Sequence, residues 1–189
     1  QADMVQRIAK KIAAASGETK FKWEARLLRA DDTPNAFCLP NGRIAVYTGI
    51  LKPGLADTED KLAVVMGHEV THGILRHGGK RMTQGTLTQG AMQAIEAGLG
   101  MTQMGAETKS GVMAALGMGA NVGVLLPFSR DHETEADIEG LRYAIRAGYD
   151  PNEAPKLWER MAKLGGSKQP EWLSTHPASE ARGSEEHTS

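Results

Sequence analysis

The chain has 189 residues, 40% of them hydrophobic, which is the size of one domain with enough apolar side chains to build a core. Its formal net charge of −1 and the absence of a run of lysines and arginines argue against nucleic acid as the main partner. A single cysteine, Cys38, excludes an intrachain disulfide and a cysteine-rich metal site.

Two elements are predicted before residue 50. Residues 1–17 predict an amphipathic helix, because apolar side chains recur on one side and lysines on the other. Residues 21–48 predict a small sheet, since alternating residues indicate a half-buried strand and Asn41-Gly42 indicates a hairpin turn. We expect one strand to form an edge beside the next helix, where an extended peptide adds by main-chain hydrogen bonds. A hairpin that only supports the helix is the alternative.

Residues 57–79 contain the most informative motif, a His-Glu-x-x-His sequence formed by His68, Glu69 and His72. Capping residues and acids at the start, apolar residues at helical spacing and a stop at Gly78-Gly79 predict a helix. Residues four apart share a helix face, so both imidazoles reach one ion. Two His nitrogens and a carboxylate suit zinc with one position open for water, and Glu69 is placed to take a proton from that water. A solvated helix with two incidental histidines is the alternative.

Residues 80–128 are rich in glycine and methionine, which predicts an adaptable lid or paired helices over the cleft. The stretch 110–129 contains no charged residue and raises the question of a membrane span. Its four glycines, Asn121 and Pro127 favour a buried helix instead.

Residues 129–182 predict a second helix that brings carboxylates to the motif, a further helix, and then a loop. Glu133 and Asp137 are four residues apart and share a face. The natural roles are third zinc ligand for Glu133 and acceptor of a ligand histidine's other N–H for Asp137. Glu135 is roughly 200° around the helix from Glu133 and should point away from the metal. An acidic first turn that merely complements the helix dipole is the alternative.

The two motifs together resemble the HtpX-like and CaaX-prenyl-protease branch of the gluzincin metallopeptidases. The resemblance also covers residues 35–49, which are similar to that family's hairpin, and a late His-Pro…Arg element formed by His176, Pro177 and Arg182. It runs in order from about Phe21 to Arg182, whereas residues 183–189 do not continue the expected apolar pattern. It implies an α+β, mainly α, zincin-like fold with a small sheet beside the zinc helix, as one catalytic domain over residues 1–189.

The resemblance implies a zinc-dependent endopeptidase whose metal is held by His68, His72 and Glu133 and whose general base is Glu69. It further implies that His176 lies close to the metal, where a histidine can cap the zinc as a fourth ligand and hold the enzyme latent. Arg182 is then expected to line the cleft and hold substrate or the developing oxyanion. A turn-capping loop histidine and a surface salt bridge are the respective alternatives for His176 and Arg182.

The expected substrate is a polypeptide, including a misfolded or membrane-associated protein, in protein quality control or outer-membrane protein assembly. The resemblance favours a bacterial periplasmic protein, with membrane association and an additional C-terminal interaction domain in the parent protein left open. Because the sequence begins at Gln1, we expect a processed or trimmed chain. Two rivals remain: a latent protease-like chaperone or assembly factor capped by His176, and a structural zinc domain that acts as an interaction module.

Overall fold

A computed structural model describes residues 1–112, 130–163 and 176 of the chain. They divide into two compact units, one with residues 1–77, 130–163 and 176, and one with residues 78–112. The described residues are mostly helical with one three-stranded sheet. The predicted fold class, mainly α with a small sheet, is confirmed.

The first unit begins with helix α1 (Ala2–Ser16), whose buried residues include Val5, Ile8 and Ile12. The helix ends at Gly17, which has φ 72°, a left-handed conformation that glycine adopts without strain. The apolar side predicted from the sequence is therefore the side that packs into the core.

The sheet follows, with strands β1 (Glu24–Leu28), β2 (Ala36–Cys38) and β3 (Arg43–Tyr47) in the order β1-β3-β2. Strand β3 pairs in parallel with β1 and antiparallel with β2. The hairpin turn between β2 and β3 contains Gly42 at φ 84°, as the Asn-Gly pair predicts. A 3-10 turn, Thr48–Leu51, leads from β3 towards the next helix.

Helix α2 (Glu59–Ile74) begins at Thr58, whose side chain accepts a hydrogen bond from the Lys61 backbone N–H. The stop predicted at Gly78-Gly79 is wrong, because the helix ends at Ile74 and the chain turns through Arg76 at φ 53°. The left-handed residue expected to be a glycine is therefore an arginine. Both glycines belong instead to the start of the next helix, α3 (His77–Gly100).

The second unit contains α3 from Gly78 onwards and a further helical segment, α4, at 106–112. Helices were one of the two predicted forms of residues 80–128, and residues 113–128 of that range lie outside the described part. The uncharged stretch that raised the membrane question falls mostly there as well. Among the described residues, no helix has both the length and the hydropathy needed to cross a bilayer.

The first unit is completed by α5 (Arg130–Arg146) and α6 (Glu153–Lys163). Gly148 lies between them at φ 87°, a left-handed conformation that glycine adopts without strain. Helix α6 begins at Glu153, after a turn at residues 151–152 in which Asp150 accepts a hydrogen bond from the Asn152 backbone N–H. Helix α2 lies at the centre of the unit, in contact with α1, α5, α6, β2 and β3.

Candidate metal centre

The middle of α2 carries the predicted motif on a helix that is buried on all sides from Lys61 to Gly73. Four residues make about one helical turn, so His68 and His72 project from the same face, and their Nε2 atoms lie 3.0 Å apart. Glu69 lies beside them and is 2% exposed. Polar groups buried to this degree need hydrogen-bond partners or an ion, so the surroundings of the motif decide its chemistry.

Helices α2 and α5 approach each other backbone to backbone at Gly67 and Gly140. A Cβ added to Gly67 would lie 2.3 Å from the Gly140 carbonyl oxygen, and one added to Gly140 would lie 2.5 Å from the His68 backbone nitrogen. Glycine at both positions permits this approach. Neither glycine was predicted to matter, although one directly precedes His68 and the other lies one turn after the α5 carboxylates.

The close crossing brings two carboxylates of α5 to the paired histidines. Glu133, fully buried, places Oε1 3.1 Å from His72 Nε2 and Oε2 3.4 Å from His68 Nε2. Asp137 lies on the other side of His68, with Oδ1 2.8 Å from Nδ1. The N–H of His68 at Nδ1 therefore donates to Asp137 and leaves Nε2 facing Glu133. The structure thus brings together four of the residues predicted from the sequence.

His176 is also buried against these residues. Its Nδ1 lies 3.0 Å from Glu133 Oε1 and 3.2 Å from His68 Nε2. Its Nε2 lies 3.5 Å from Glu69 Oε1. The side chain thus bridges the predicted ligands and the predicted base.

The donor atoms of His68, His72, Glu133 and His176 all lie within 4.8 Å of one another, and all four residues are buried. Neighbouring donors are 3.0–3.4 Å apart. Ligand atoms of a tetrahedral zinc site with bonds of about 2.0–2.1 Å are separated by about 3.3 Å. Imidazole nitrogens with a carboxylate oxygen are donors that zinc prefers, so the residues present fit this metal.

The charge of Glu133 is set by the same neighbours. Burial alone would raise the pKa of its carboxyl, but hydrogen bonds from His176 and His72 and the nearby charge of His68 outweigh burial and lower the pKa to about 2. Glu133 is therefore a carboxylate at neutral pH, the form that binds a cation.

Several neighbours of the site were not assigned a role from the sequence. His77, the first residue of α3, places Nδ1 2.9 Å from His72 Nδ1, and its Nε2 lies 3.2 Å from Glu135 Oε2. The ring of Trp158 on α6 meets that of His68 edge-on, with centroids 6.0 Å apart. The sequence does show His77 as a third histidine, five residues after His72. Helical spacing would place it on a different face from His68 and His72, so it was not predicted to belong to the site.

Two further residues singled out in the sequence are Arg182 and Cys38. Arg182 lies outside the described residues, and its assigned role stays a prediction. Cys38 on β2 packs against Gly73 of α2. The contact is so close that a Cβ added to Gly73 would lie 2.6 Å from the Cys38 Sγ atom. Burial raises the pKa of its thiol well above the ordinary range, with the charge of Glu69 adding to the effect. A thiol held protonated suits packing rather than nucleophilic chemistry.

The mainly helical fold and a His-Glu-x-x-His helix crossed by a carboxylate-bearing helix define the class of zinc metallopeptidase domains. The sequence profile of Peptidase family M48 matches residues 1–185. The chain belongs to Peptidase family M48, which confirms the resemblance found in the sequence. Zinc, the predicted cofactor, is the metal on which this family depends, and the described cluster offers a place for it.

Relatives from mitochondria and from bacteria are similar over nearly the whole chain. The mitochondrial metalloendopeptidase OMA1 of Schizosaccharomyces pombe is 39% identical over 180 residues, covering 94% of this chain and 50% of the relative. The same-named protein of Arabidopsis thaliana is 36% identical over 182 residues, covering 94% of this chain and 34% of the relative. The beta-barrel assembly-enhancing protease of Escherichia coli is 27% identical over 185 residues, covering 94% of this chain and 36% of the relative. The chain therefore spans half or less of the length of these relatives.

Proposed function

We propose that this chain is the catalytic part of a zinc-dependent endopeptidase. The observation that carries the proposal is the buried cluster of His68, His72, Glu133 and His176 with Glu69 beside it. Membership of Peptidase family M48 and relatives named metalloendopeptidases support it. A purely structural zinc domain is less well supported, because such a domain has no use for a buried carboxylate at position 69.

In the proposed reaction, His68, His72 and Glu133 hold the zinc and Asp137 orients His68 through its Nδ1 hydrogen bond. Zinc held by these residues would supply Lewis-acid chemistry, making the attacking water more acidic and the scissile carbonyl more electrophilic. Glu69 accepts a proton from the attacking water as the C–O bond forms at the carbonyl carbon, and then delivers it to the nitrogen of the leaving amine as the C–N bond breaks. Its buried position favours this exchange over proton loss to bulk water.

We propose that the polypeptide substrate binds along β2 (Ala36–Cys38). This strand is at one edge of the sheet order β1-β3-β2 and contacts α2. Main-chain hydrogen bonds to an edge strand hold an extended peptide with little dependence on its side chains. Such binding suits a peptidase that acts on exposed segments of many proteins.

Removing a proposed ligand tests the metal assignment. Glu133→Ala and His72→Ala are each expected to weaken zinc binding by more than about 100-fold, beyond the 10–100-fold typical for partners outside the ligand set. Zinc content of the purified variants and competition with a chelator measure the change. Glu139→Ala, on the same helix but paired with Arg142 at the surface, is the matched control and should retain the metal. Full zinc occupancy in both ligand variants would overturn the assignment.

A second candidate function is a latent, chaperone-like assembly factor, and the position of His176 favours it. Its Nδ1 lies among the proposed ligand atoms and its Nε2 faces Glu69, so this side chain occupies the space that a water and a substrate carbonyl need. His176→Ala is expected to raise cleavage of fluorescently labelled casein by about 10-fold or more if the open arrangement is a minor state. No cleavage by wild type or variant would favour the assembly factor. Equal activity of the two would show that His176 does not cap the site.

We propose a role in protein quality control or outer-membrane protein assembly. The name of the Escherichia coli relative, a beta-barrel assembly-enhancing protease, supports the second role. The bacterial periplasm stays our proposed location, although the OMA1 relatives are named mitochondrial. That residues 1–189 act as a single catalytic domain, with a further interaction domain in the parent protein, is likewise a proposal.

A further inference from the structure

We propose that His77 and Glu135 form a relay that positions His72 as a zinc ligand, an inference that rests on the proposed function. The relay consists of two contacts in series. His77 Nδ1 lies 2.9 Å from His72 Nδ1, and His77 Nε2 lies 3.2 Å from Glu135 Oε2. His77 is fully buried, whereas Glu135 is about half exposed. A negative charge near the surface is thereby connected to the interior of the metal site.

The direction of the hydrogen bonds follows from the metal site. His72 presents Nε2 to Glu133 and His68, so a ligand bond through Nε2 leaves the ring proton on Nδ1. That N–H donates to Nδ1 of His77, which must then be the acceptor. The proton of His77 is consequently on Nε2, where it donates to the Glu135 carboxylate. Each tautomer is determined by the next group along the relay.

The relay is the counterpart of the Asp137 contact on the other histidine. His68 Nδ1 donates to a carboxylate directly at 2.8 Å, whereas His72 reaches its carboxylate through His77. Partners of this kind fix the ring orientation and raise the basicity of a ligand histidine. Both proposed His ligands thus depend on an acid of α5, one of them through an intervening imidazole.

Two features of the fold hold His77 in place. In an uninterrupted helix, a residue five positions after His72 would lie roughly 140° around the axis and face away. The left-handed turn at Arg76 brings it back beside His72. The ring of His132 stacks on that of His77, with centroids 4.2 Å apart and planes 16° from parallel. The His77 imidazole is therefore held in place both by the backbone turn and by the His132 ring stacked on its face.

The test compares zinc affinity in His77 and Glu135 variants. His77→Ala is expected to weaken zinc binding by about 10–100-fold, and His77→Asn, whose side-chain oxygen can accept the His72 N–H, should recover part of the loss. Glu135→Ala, at a half-exposed position that tolerates truncation, should cause a smaller loss in the same direction. Affinity is measured by competition with a chelator, and the visible spectrum of the Co²⁺-substituted protein reports the ligand geometry. Glu139→Ala serves as the control on the same helix.

If His77 only supported the fold, its removal would lower the thermal stability without a specific effect on the hydrogen bond of His72. Thermal unfolding of the metal-free variants shows whether the fold is intact, and the NMR resonance of the His72 Nδ1 proton in the zinc-loaded protein reports whether that N–H is hydrogen-bonded. The proposal predicts a downfield, slowly exchanging His72 Nδ1 proton in the zinc-loaded wild type and a rapidly exchanging one in His77→Ala. Zinc affinity within about twofold of wild type in His77→Ala and Glu135→Ala would overturn the relay. Failure of the wild type itself to bind zinc would instead overturn the proposed function.

Discussion

Glu69→Gln is expected to lower peptidase turnover by at least about 10²-fold while the zinc content stays that of the wild type. General-base catalysis contributes about 10²–10⁴-fold, and an amide cannot accept the proton that the attacking water must lose. The side chain is not among the four residues whose donor atoms cluster for a metal, so the ligand set is unchanged. Cleavage of fluorescently labelled casein and metal analysis of the same preparation measure the two quantities.

The measurement is made in the wild type and in the His176→Ala background, so that a capped site does not conceal the effect. Glu59→Gln is the matched control, because Glu59 is on the same helix and pairs with Arg7 at the surface. A surface pair of this kind contributes little to stability, and the control should cleave as its parent does. Near-normal cleavage by a zinc-loaded Glu69→Gln variant would refute the role of this residue.

Gly140→Ala is expected to destabilise the protein by about 3 kcal/mol, at the upper end of overpacking costs, and to weaken zinc binding. The new Cβ would lie 2.5 Å from the His68 backbone nitrogen and 2.6 Å from the Gly67 carbonyl carbon, and backbone atoms of a central helix cannot move aside singly. The two helices must separate, which moves Glu133 and Asp137 away from the histidines. A fall in Tm of about 6–12 °C is the corresponding thermal effect for a domain of this size.

Gly78→Ala is the control for the intrinsic effect of adding a methyl group to a helical glycine. A Cβ at Gly78 meets nothing within 4 Å, so the variant should be as stable as wild type or slightly more so. Thermal unfolding followed by circular dichroism, with and without zinc, compares the two variants. An unchanged Tm and an unchanged zinc affinity in Gly140→Ala would contradict this close approach of α2 and α5.

The elements predicted well are those with short-range signals. Helix α1, the β2–β3 hairpin and the start of α2 at Thr58 follow from periodicity, an Asn-Gly turn and a capping side chain, all of which act within a few residues. The His-Glu-x-x-His spacing and the Glu133/Asp137 spacing belong to the same category. Each pair shares a helix face whatever the rest of the fold does.

The end of α2 shows where short-range signals fail. The glycines at 78 and 79 are the conventional stop signal, yet the chain leaves the helix at Ile74 and turns through Arg76. An arginine in the left-handed region costs local free energy that only the surrounding packing can offset. One consequence of this turn is the position of His77 beside His72, which the residue spacing does not predict.

The sequence by itself determined which side chains share a face: two histidines and an acid on one helix, two carboxylates on another. The tertiary structure alone decided that the two faces meet, because the approach depends on Gly67 and Gly140 lying opposite each other across a helix crossing. No residue spacing predicts that His176, more than 100 residues from the motif, reaches the same centre; only the family resemblance implied it. The tertiary structure also decided that Glu135, expected to point away, contacts the centre through His77. Helical periodicity is a property of neighbouring residues, whereas these contacts depend on how separate segments pack.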